Sequence, residues 1–374
     1  MLAQYSGREP FHLYLSRYFR DHKKLGARDR RQYRALLYSY FRVGSAFTGL
    51  PRAQQLIAGD SVMQPPETEA WRRAIHEAYP HLDLKGPSPE IRLAEAPSSW
   101  SLQWSFPFSE DLSPHISVDA LRRRMLTQPS VFIRVRPSCE ERVVTDLDAQ
   151  QLRWERLDAD GAYRLPPQAR LHDLASYQEG CFEIQDAHSQ QTLRAYRRFL
   201  EGRWWDVCAG AGGKTLLMKH LAPEVNIWAS DAREAALRNL RLRARRHHIK
   251  LKDIAVRDLS RQGPPPDWPS FDGLLVDAPC TGSGTWARTP ESRCYPPGNP
   301  HDKSPLQDQL IDHALPALKP GGLLLYITCS VYSIENEQRV QRMSQRHGMH
   351  LQRTDYIRTY SDADVLFVAA LRKP

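Results

Sequence analysis

The sequence predicts an α/β chain. Its C-terminal half reads as a doubly wound, mostly parallel sheet, preceded by a small α/β unit and a helical N-terminal region. Three observations lead there. From residue 203 onward, short apolar runs alternate with helical patterns, the rhythm of β–α–β units. Several of these runs end in an acidic residue, and the first turns through a glycine-rich stretch. Residues 1–50 instead carry apolar side chains at helical spacing among many basic ones.

In the N-terminal region, FHLYLSRYFR places Phe11, Leu15, Tyr18 and Phe19 on one helical face, and a second helix groups Tyr33, Leu36, Leu37, Tyr40 and Phe41. Arg17, Arg20, Lys23, Lys24, Arg28, Arg30, Arg31 and Arg34 are left for the outside. Residues 1–50 hold ten Lys/Arg against three Asp/Glu, +7 of the chain's net +9. A charge run is usually a solvated face. One sign in such excess, interleaved with Tyr and His, favours phosphate contacts. Between 51 and 115, Pro51, Pro65, Pro66, Pro80, Pro87, Pro89 and Pro97 interrupt the pattern, with helix expected near 67–79. The aromatic stretch WSLQWSFPF (100–108) suits packing between domains.

A small α/β unit is expected over 116–185. Ser117 caps a helix, VFIRVR (131–136) alternates as a strand, 140–150 is helical, and short strands follow. Gln185, Asp186, Ser189 and Gln190 then precede a helix, where spacing favours capping over a cleft. The last part, 186–374, carries strands at 204–210, 225–231 (ending in Asp231), 253–258 (ending in Asp258), 271–277 and 323–329. A helix is expected at about 305–318, a turn at Pro320-Gly321-Gly322, and one more strand at 364–372.

Composition bounds the function. The chain has 374 residues, 41% hydrophobic and 25% charged, as for a soluble globular protein of two or three domains. No apolar run is long enough to span a membrane, and the N-terminus lacks the plan of a signal peptide, so a cytoplasmic protein is expected. Six cysteines (139, 181, 208, 280, 294, 329) show no metal-ligand spacing, so neither a metal nor a disulfide framework is expected.

The glycine-rich turn CAGAGGKT fails both common phosphate-binding patterns. A P-loop needs Gly five places before Gly213, where Cys208 stands, and GxGxxG needs Gly where Thr215 stands. Asp231, 25 residues after Asp206, is placed to bind ribose hydroxyls. A ligand with ribose and no phosphate, S-adenosylmethionine, fits both facts. Asp277 and Cys280 in FDGLLVDAPCTGSGT lie at another strand end, where a carboxylate and a thiol can face one base.

These motifs resemble the RsmB/Nop/Sun family of RNA cytosine-5 methyltransferases. DVCAGAGGKT resembles that family's cofactor loop, DAPCTGSGT its Asp-Ala-Pro-Cys motif, and YITCSVYSIENE (326–337) its Thr-Cys-Ser motif. FEIQDAHSQ resembles the lead-in to its catalytic domain and VFIRVRPS the first strand of its RNA-recognition-like subdomain, so the likeness covers about 130–374. The N-terminal helices, with LGARDR, more loosely resemble the NusB-like domain of the RsmB branch, which methylates small-subunit ribosomal RNA.

The resemblance implies three parts: a NusB-like RNA-binding domain (1–115), the small subdomain (116–185) and a Rossmann-like S-adenosylmethionine-dependent methyltransferase domain (186–374). It implies a monomer that binds RNA without a metal. Cys329 is then the nucleophile, Asp277 holds the base, Cys280 assists release, and Lys214 beside the thiols favours thiolate. The cofactor would lie on Cys208, Ala209, Gly210, Ala211, Gly212, Gly213, Lys214, Asp231, Arg233, Asp258 and Asp277, and the RNA on Pro279, Arg288, Gln185 and Asp186. Ala211 stands where the family usually has Pro, Ala287 where many members have Arg, and Glu291 where Asp is usual. A transfer RNA target, a DNA cytosine methyltransferase and a non-catalytic RNA-binding protein remain alternatives. The first two are tested by the methyl acceptor; the third is disfavoured because no structural need requires Asp277, Cys280 and Cys329 together.

Overall fold

The computed structural model describes residues 1–96, 102–106, 108–158, 160–296 and 299–374. It divides into two compact units: residues 1–128 with 285–299, and residues 129–284 with 300–374. This differs from the three parts expected. The helix after Ser117 goes with the first unit, the small α/β region joins the second, and 285–299 returns to the first.

The first unit is helical. Helices Phe11–Asp21 and Ala27–Arg42 form as their spacing predicts. They pack through aromatic rings, Phe11 and Phe41 meeting edge to face at 4.9 Å. Helices Arg52–Met63, Glu69–Ala78, Pro89–Ala94 and Val118–Met125 follow, the last capped by Ser117. Of the basic residues expected outside, all are exposed except Arg30, which is half-buried and bonded to the Leu25 carbonyl.

The returning segment carries two departures from the family pattern, Ala287 and Glu291. Buried Arg42 donates 2.8 Å bonds to the carbonyls of Ala287 and Thr127. Arg293 donates to the carbonyls of Phe41 and Arg42 at 2.7 and 2.9 Å. Burial holds both guanidiniums down, Arg42 to about 9 and Arg293 to about 10. Glu291 accepts from the Phe11 backbone N–H, where a carboxylate suits the start of a helix. The described part of 100–108 packs inside this unit, Phe106 and Phe108 each 5.8 Å from Trp286. Trp100, Ser101 and Pro107 lie outside the described residues.

The second unit holds two sheets. The small one contains β1 (Val131–Val135), β2 (Glu155–Arg156), β3 (Ala162–Leu165) and β4 (Phe182–Ile184), antiparallel in the order β2-β3-β1-β4. β1 does not alternate in burial as expected. Ile133 and Val135 enter the core of the small sheet, while Phe132 packs on Ala187 and Ala363, so both faces are covered.

The large sheet contains β5 (Arg203–Asp206), β6 (Asn226–Asp231), β7 (Asp253–Val256), β8 (Phe271–Asp277), β9 (Leu318–Thr328), β10 (His350–Ile357) and β11 (Leu366–Arg372). Their order is β10-β11-β9-β8-β5-β6-β7, with β11 antiparallel to both neighbours and the rest parallel. Leu274, Leu275 and Val276 are fully buried at its centre, each burial stabilising by roughly 1.5–3 kcal/mol. Four details differ from expectation. β7 stops at Val256, leaving Asp258 on the following turn. The helix near 305–318 runs Pro300–Ala314. Pro320-Gly321-Gly322 is absorbed in β9 as an irregularity opposite Phe271 and Gly273 rather than ending it. The C-terminal region adds a helix (Glu337–His347) and β10, a largely exposed edge strand. Among the described residues, no helix is long and apolar enough to cross a membrane, and no cluster of His, Cys, Asp or Glu is arranged to hold a metal ion.

Candidate active site

β8 and β9 run parallel, with Asp277 opposite Ile327. Their C-terminal ends therefore leave the sheet together. The Ala278 N–H donates to the Ile327 carbonyl at 2.8 Å and the Gly284 N–H to the Cys329 carbonyl at 2.8 Å. This double tie brings two Cys motifs, 49 residues apart in sequence, into one site, with Cys280 Sγ 3.4 Å from Cys329 Sγ and both thiols free. Gly284 is required by close approach: an added Cβ would stand 2.2 Å from the Val365 carbonyl oxygen and 2.9 Å from that of Cys329.

The loop after Cys280 is clamped from below. Glu335, fully buried, accepts from the Thr281 N–H at 2.9 Å and from its hydroxyl at 2.7 Å. Gln307, also fully buried, donates to the Pro279 carbonyl at 3.1 Å. Sequence reasoning missed the role of Glu335 and all of Gln307. The Glu-Asn-Glu tail was visible as a motif, but its partner loop lies more than fifty positions away. The Pro279 carbonyl, expected to receive a base amine, is already engaged on one side by Gln307.

Asp277 lies half-exposed beside Lys214, whose ammonium is 3.3 Å from its Oδ2 and 2.9 Å from the Ser189 hydroxyl. Lys214 was expected to favour thiolate, and its bonds go elsewhere, to Asp277 and Ser189. The Cys329 thiol is pushed well up by its bond to Cys280, by burial, and by the charges of Asp277 and Asp364.

The glycine-rich turn follows β5. Gly210 and Gly212 have φ of 54° and 88°, the left-handed region open to glycine. At Gly212 an added Cβ would strike Leu240, so this face packs on helix Glu234–Arg246. At Gly210 it would meet only the Arg233 guanidinium at 3.6 Å, and at Gly213 only the Gln185 amide at 3.8 Å, so this face is open to a ligand. Arg243 holds the Ala211 carbonyl at 2.6 Å, a tether that can offset the absent Pro. Below the turn, Asp206 accepts from the Thr215 hydroxyl and is pushed up to about 7, first by burial and then by Asp277 and Asp231.

Asp231, at the end of β6, accepts from the Gly210 N–H at 2.9 Å and from the Arg233 backbone and side chain at 2.9–3.2 Å. The Arg233 side chain is 73% exposed, so ribose hydroxyls can replace its bonds without unpacking anything. The residues present therefore fit S-adenosylmethionine: an open glycine turn for the methionine end and a carboxylate with displaceable donors for the ribose. Asp258 is bonded instead to its own turn, through the Ser260 hydroxyl at 2.6 Å, and stays partly exposed. Cys208 is packed against the main core with its thiol pushed far up by burial.

Two expected substrate residues are used internally. Gln185 accepts from Arg134 at 3.0 Å and donates to the Gly213 carbonyl at 3.1 Å and the Ser189 hydroxyl at 3.2 Å. Asp186 caps the helix Ala187–Gln191 and accepts from the Asp364 N–H at 3.0 Å. Arg288 falls in the first unit, where its N–H donates to the Thr285 carbonyl.

Residues 199–365 match the family described as 16S rRNA methyltransferase RsmB/F. The chain is 32% identical over 206 residues to ribosomal RNA small subunit methyltransferase B of Salmonella arizonae, a match covering 53% of this chain and 46% of the relative. The relative from Salmonella newport matches over the same shares at the same identity. The chain thus spans about half the length of these curated relatives. Among solved structures, that of PH0851 is similar with a TM-score of 0.67 at 19% identity, covering 95% of this chain and 93% of that one. NSun6 from Pyrococcus horikoshii, solved with SFG, is similar with a TM-score of 0.56 at 18% identity, covering 66% and 91%. These likenesses show the fold alone, a Rossmann-like α/β arrangement with a mostly parallel sheet. The similarity to the family described as 16S rRNA methyltransferase RsmB/F is confined to residues 199–365, less than half of the chain.

Proposed function

We propose that this protein is a cytoplasmic RNA cytosine-5 methyltransferase acting on small-subunit (16S) ribosomal RNA, through a covalent bond between Cys329 and carbon 6 of the base. The observation that carries this reading is the pair of free thiols 3.4 Å apart beside the Asp277–Lys214 pair. Similarity to ribosomal RNA small subunit methyltransferases B of Salmonella supports the choice of RNA.

Carbon 5 of cytosine is a poor nucleophile. Addition of the Cys329 sulfur at carbon 6 makes it enamine-like, which is covalent catalysis by Cys. Asp277, as a carboxylic acid, gives its proton to ring nitrogen 3 as negative charge develops there, while Lys214 fixes the carboxyl group's position. S-adenosylmethionine supplies the methyl group when bound. The Ala209–Gly213 turn and Asp231 would hold it, with Arg233 moving aside. Once carbon 5 has lost its proton, the sulfur of Cys329 must leave, and Cys280 is placed to assist. The target must be unpaired or flipped to reach this pocket.

The test is methyl transfer from labelled S-adenosylmethionine to small-subunit ribosomal RNA, transfer RNA and DNA of matched cytosine content, followed by bisulfite sequencing. The reading requires label in ribosomal RNA at a cytosine resistant to conversion. Label only in transfer RNA or only in DNA would replace the substrate. No label in any acceptor, with the cofactor bound, would leave a non-catalytic RNA-binding protein.

A further inference from the structure

A second cavity lies in the second unit, of about 410 Å³. It is bounded by β1, the segment 194–197 and the C-terminal half of helix Gly213–Leu221, and is lined by Arg134, Arg136, Arg194, Arg197, Lys219 and His220. Asp160 is the one carboxylate on its wall. None of these residues takes part in the chemistry proposed above.

The positive charge here is only partly cancelled. Arg194 pairs with Asp158 and Asp160 at 2.6 and 3.3 Å. Arg136 donates to the Gly180 carbonyl, Arg197 to that of Leu221 and Lys219 to that of Pro223, while Glu183 and Glu224 act on Arg134 and Lys219 only through their charge. Arg134 is only 5% exposed. Its Nε donates to Gln185 at 3.0 Å, and its two terminal nitrogens meet no protein acceptor among the described residues. A buried guanidinium normally has a carboxylate or other acceptors on every side. Burial, and then Arg134, Arg136 and Arg194, push the His220 imidazole down to about 4, the response of a base in a concentrated positive field.

We propose that this cavity is a binding site for a phosphate group, carried by a ribonucleotide. Guanidinium forks match tetrahedral oxyanions in bidentate fashion, and a wall on which cations outnumber carboxylates favours a multiply charged anion. The volume falls within the range of small-ligand sites and has room for a sugar or base beside the phosphate. Two sources share this chemistry: a backbone phosphate of bound RNA, and a free phosphate or nucleotide. Gln185 joins the cavity to the cofactor turn, because one amide bonds both Arg134 and the Gly213 carbonyl.

The experiment uses the full chain, its Arg136→Ala/Lys219→Ala double variant at the cavity wall and an Arg134→Met variant. Thermal unfolding in chloride checks that each folds. In the first arm, inorganic phosphate is titrated at constant ionic strength and Tm recorded, since a ligand of the native state raises it. A rise in the parent that is lost in the variants supports the site. In the second arm, RNA affinity is measured against salt, with and without phosphate. If RNA supplies the phosphate, the variants bind RNA at least several-fold more weakly, the slope of log K against log salt shrinks by about one, and phosphate competes only in the parent. A phosphate response with RNA binding untouched supports the same site with a free phosphate or nucleotide as occupant. The second arm rests on the RNA reading above and the first does not, so their failures are distinguishable. Parent and folded variants alike in both arms would overturn the proposal.

Discussion

The sulfurs of Cys280 and Cys329 lie 3.4 Å apart, on loops that leave two neighbouring parallel strands side by side. Their closeness is a property of the sheet, since the backbones of the two loops are bonded to each other through Gly284 and Cys329. It also sets the chemistry: each thiol is the other's hydrogen-bond partner, and that bond is the first cause of the upward push on Cys329. Geometry and acidity in this site are therefore coupled through one backbone contact.

Gly284→Ala tests that contact. The added methyl would enter the space held by the carbonyls of Val365 and Cys329. Overpacking of this kind typically costs about 1–3 kcal/mol. The expected outcome is a Tm a few degrees lower, with kcat falling at least tenfold and KM for the cofactor nearly unchanged. A variant with parent kcat would show that the Cys329 loop does not depend on the tie.

Asp206 gives a dependence of stability on pH. Its folded value of about 7 lies above its ordinary 3.8, so the native state binds the proton more tightly than the unfolded chain does. Native stability from this group is full below about pH 4, falls as pH rises to 7, and is level above. Asp206→Asn keeps an acceptor for Thr215 and cannot ionise. The variant should match the parent near pH 4 and exceed it by a few kcal/mol at pH 8, read from denaturant unfolding. A difference that does not change with pH would rule out a neutral Asp206.

The sheet was legible because its central strands are short, apolar and bounded by turn residues. Leu274, Leu275 and Val276 announce β8 without any partner. β10 was not legible: HLQRTDYI is mostly polar and exposed at a sheet edge, where burial imposes no pattern. The two thiols of the proposed site were legible through their motifs. What surrounds them was not, because Gln307, Ser189 and Asp364 are ordinary polar residues until the fold brings them in. Gln185 and Asp186 show the converse. Both looked available for substrate, and spacing had favoured capping; Asp186 caps, and Gln185 stitches β1 to the cofactor turn.

The cofactor assignment rests on Asp231. Replacing it with Ala removes the acceptor for Gly210 and Arg233 and for any ribose hydroxyl. Affinity for S-adenosylmethionine measured by calorimetry should drop at least tenfold. Asp258→Ala should have a smaller effect, because that carboxylate is occupied by its own turn. Equal losses at the two positions would mean that Asp258 turns inward when the ligand arrives.

The basic first unit makes a prediction about salt. Lys23, Lys24 and Arg28 are exposed, and Arg30 is half-buried. If they neutralise RNA phosphates, affinity falls steeply with salt, by about one unit of log–log slope per contact. Changing Lys23, Lys24 and Arg28 to Glu should weaken binding and flatten that slope by up to about three. Unchanged slope and affinity would remove this face from RNA binding.

The two cysteines can be separated by which variant traps RNA. If Cys329 attacks carbon 6, Cys329→Ala has no nucleophile and gives neither methylated product nor adduct. If Cys280 serves only in release, Cys280→Ala still attacks and still transfers the methyl group. It then stalls, with the Cys329 sulfur bonded to carbon 6. That complex survives denaturing electrophoresis as a slow band containing both protein and RNA. Cys280→Ala also removes the hydrogen bond that is the chief upward influence on Cys329, so its attack should begin at lower pH than in the parent. The double variant should lose the band. Normal turnover by Cys280→Ala without an adduct would refute the division of labour. An adduct in Cys329→Ala would reverse the roles, making the Asp-Ala-Pro-Cys thiol the nucleophile, as in the DNA enzymes. The two sulfurs are close enough that geometry alone permits either order; the trapped species decides it.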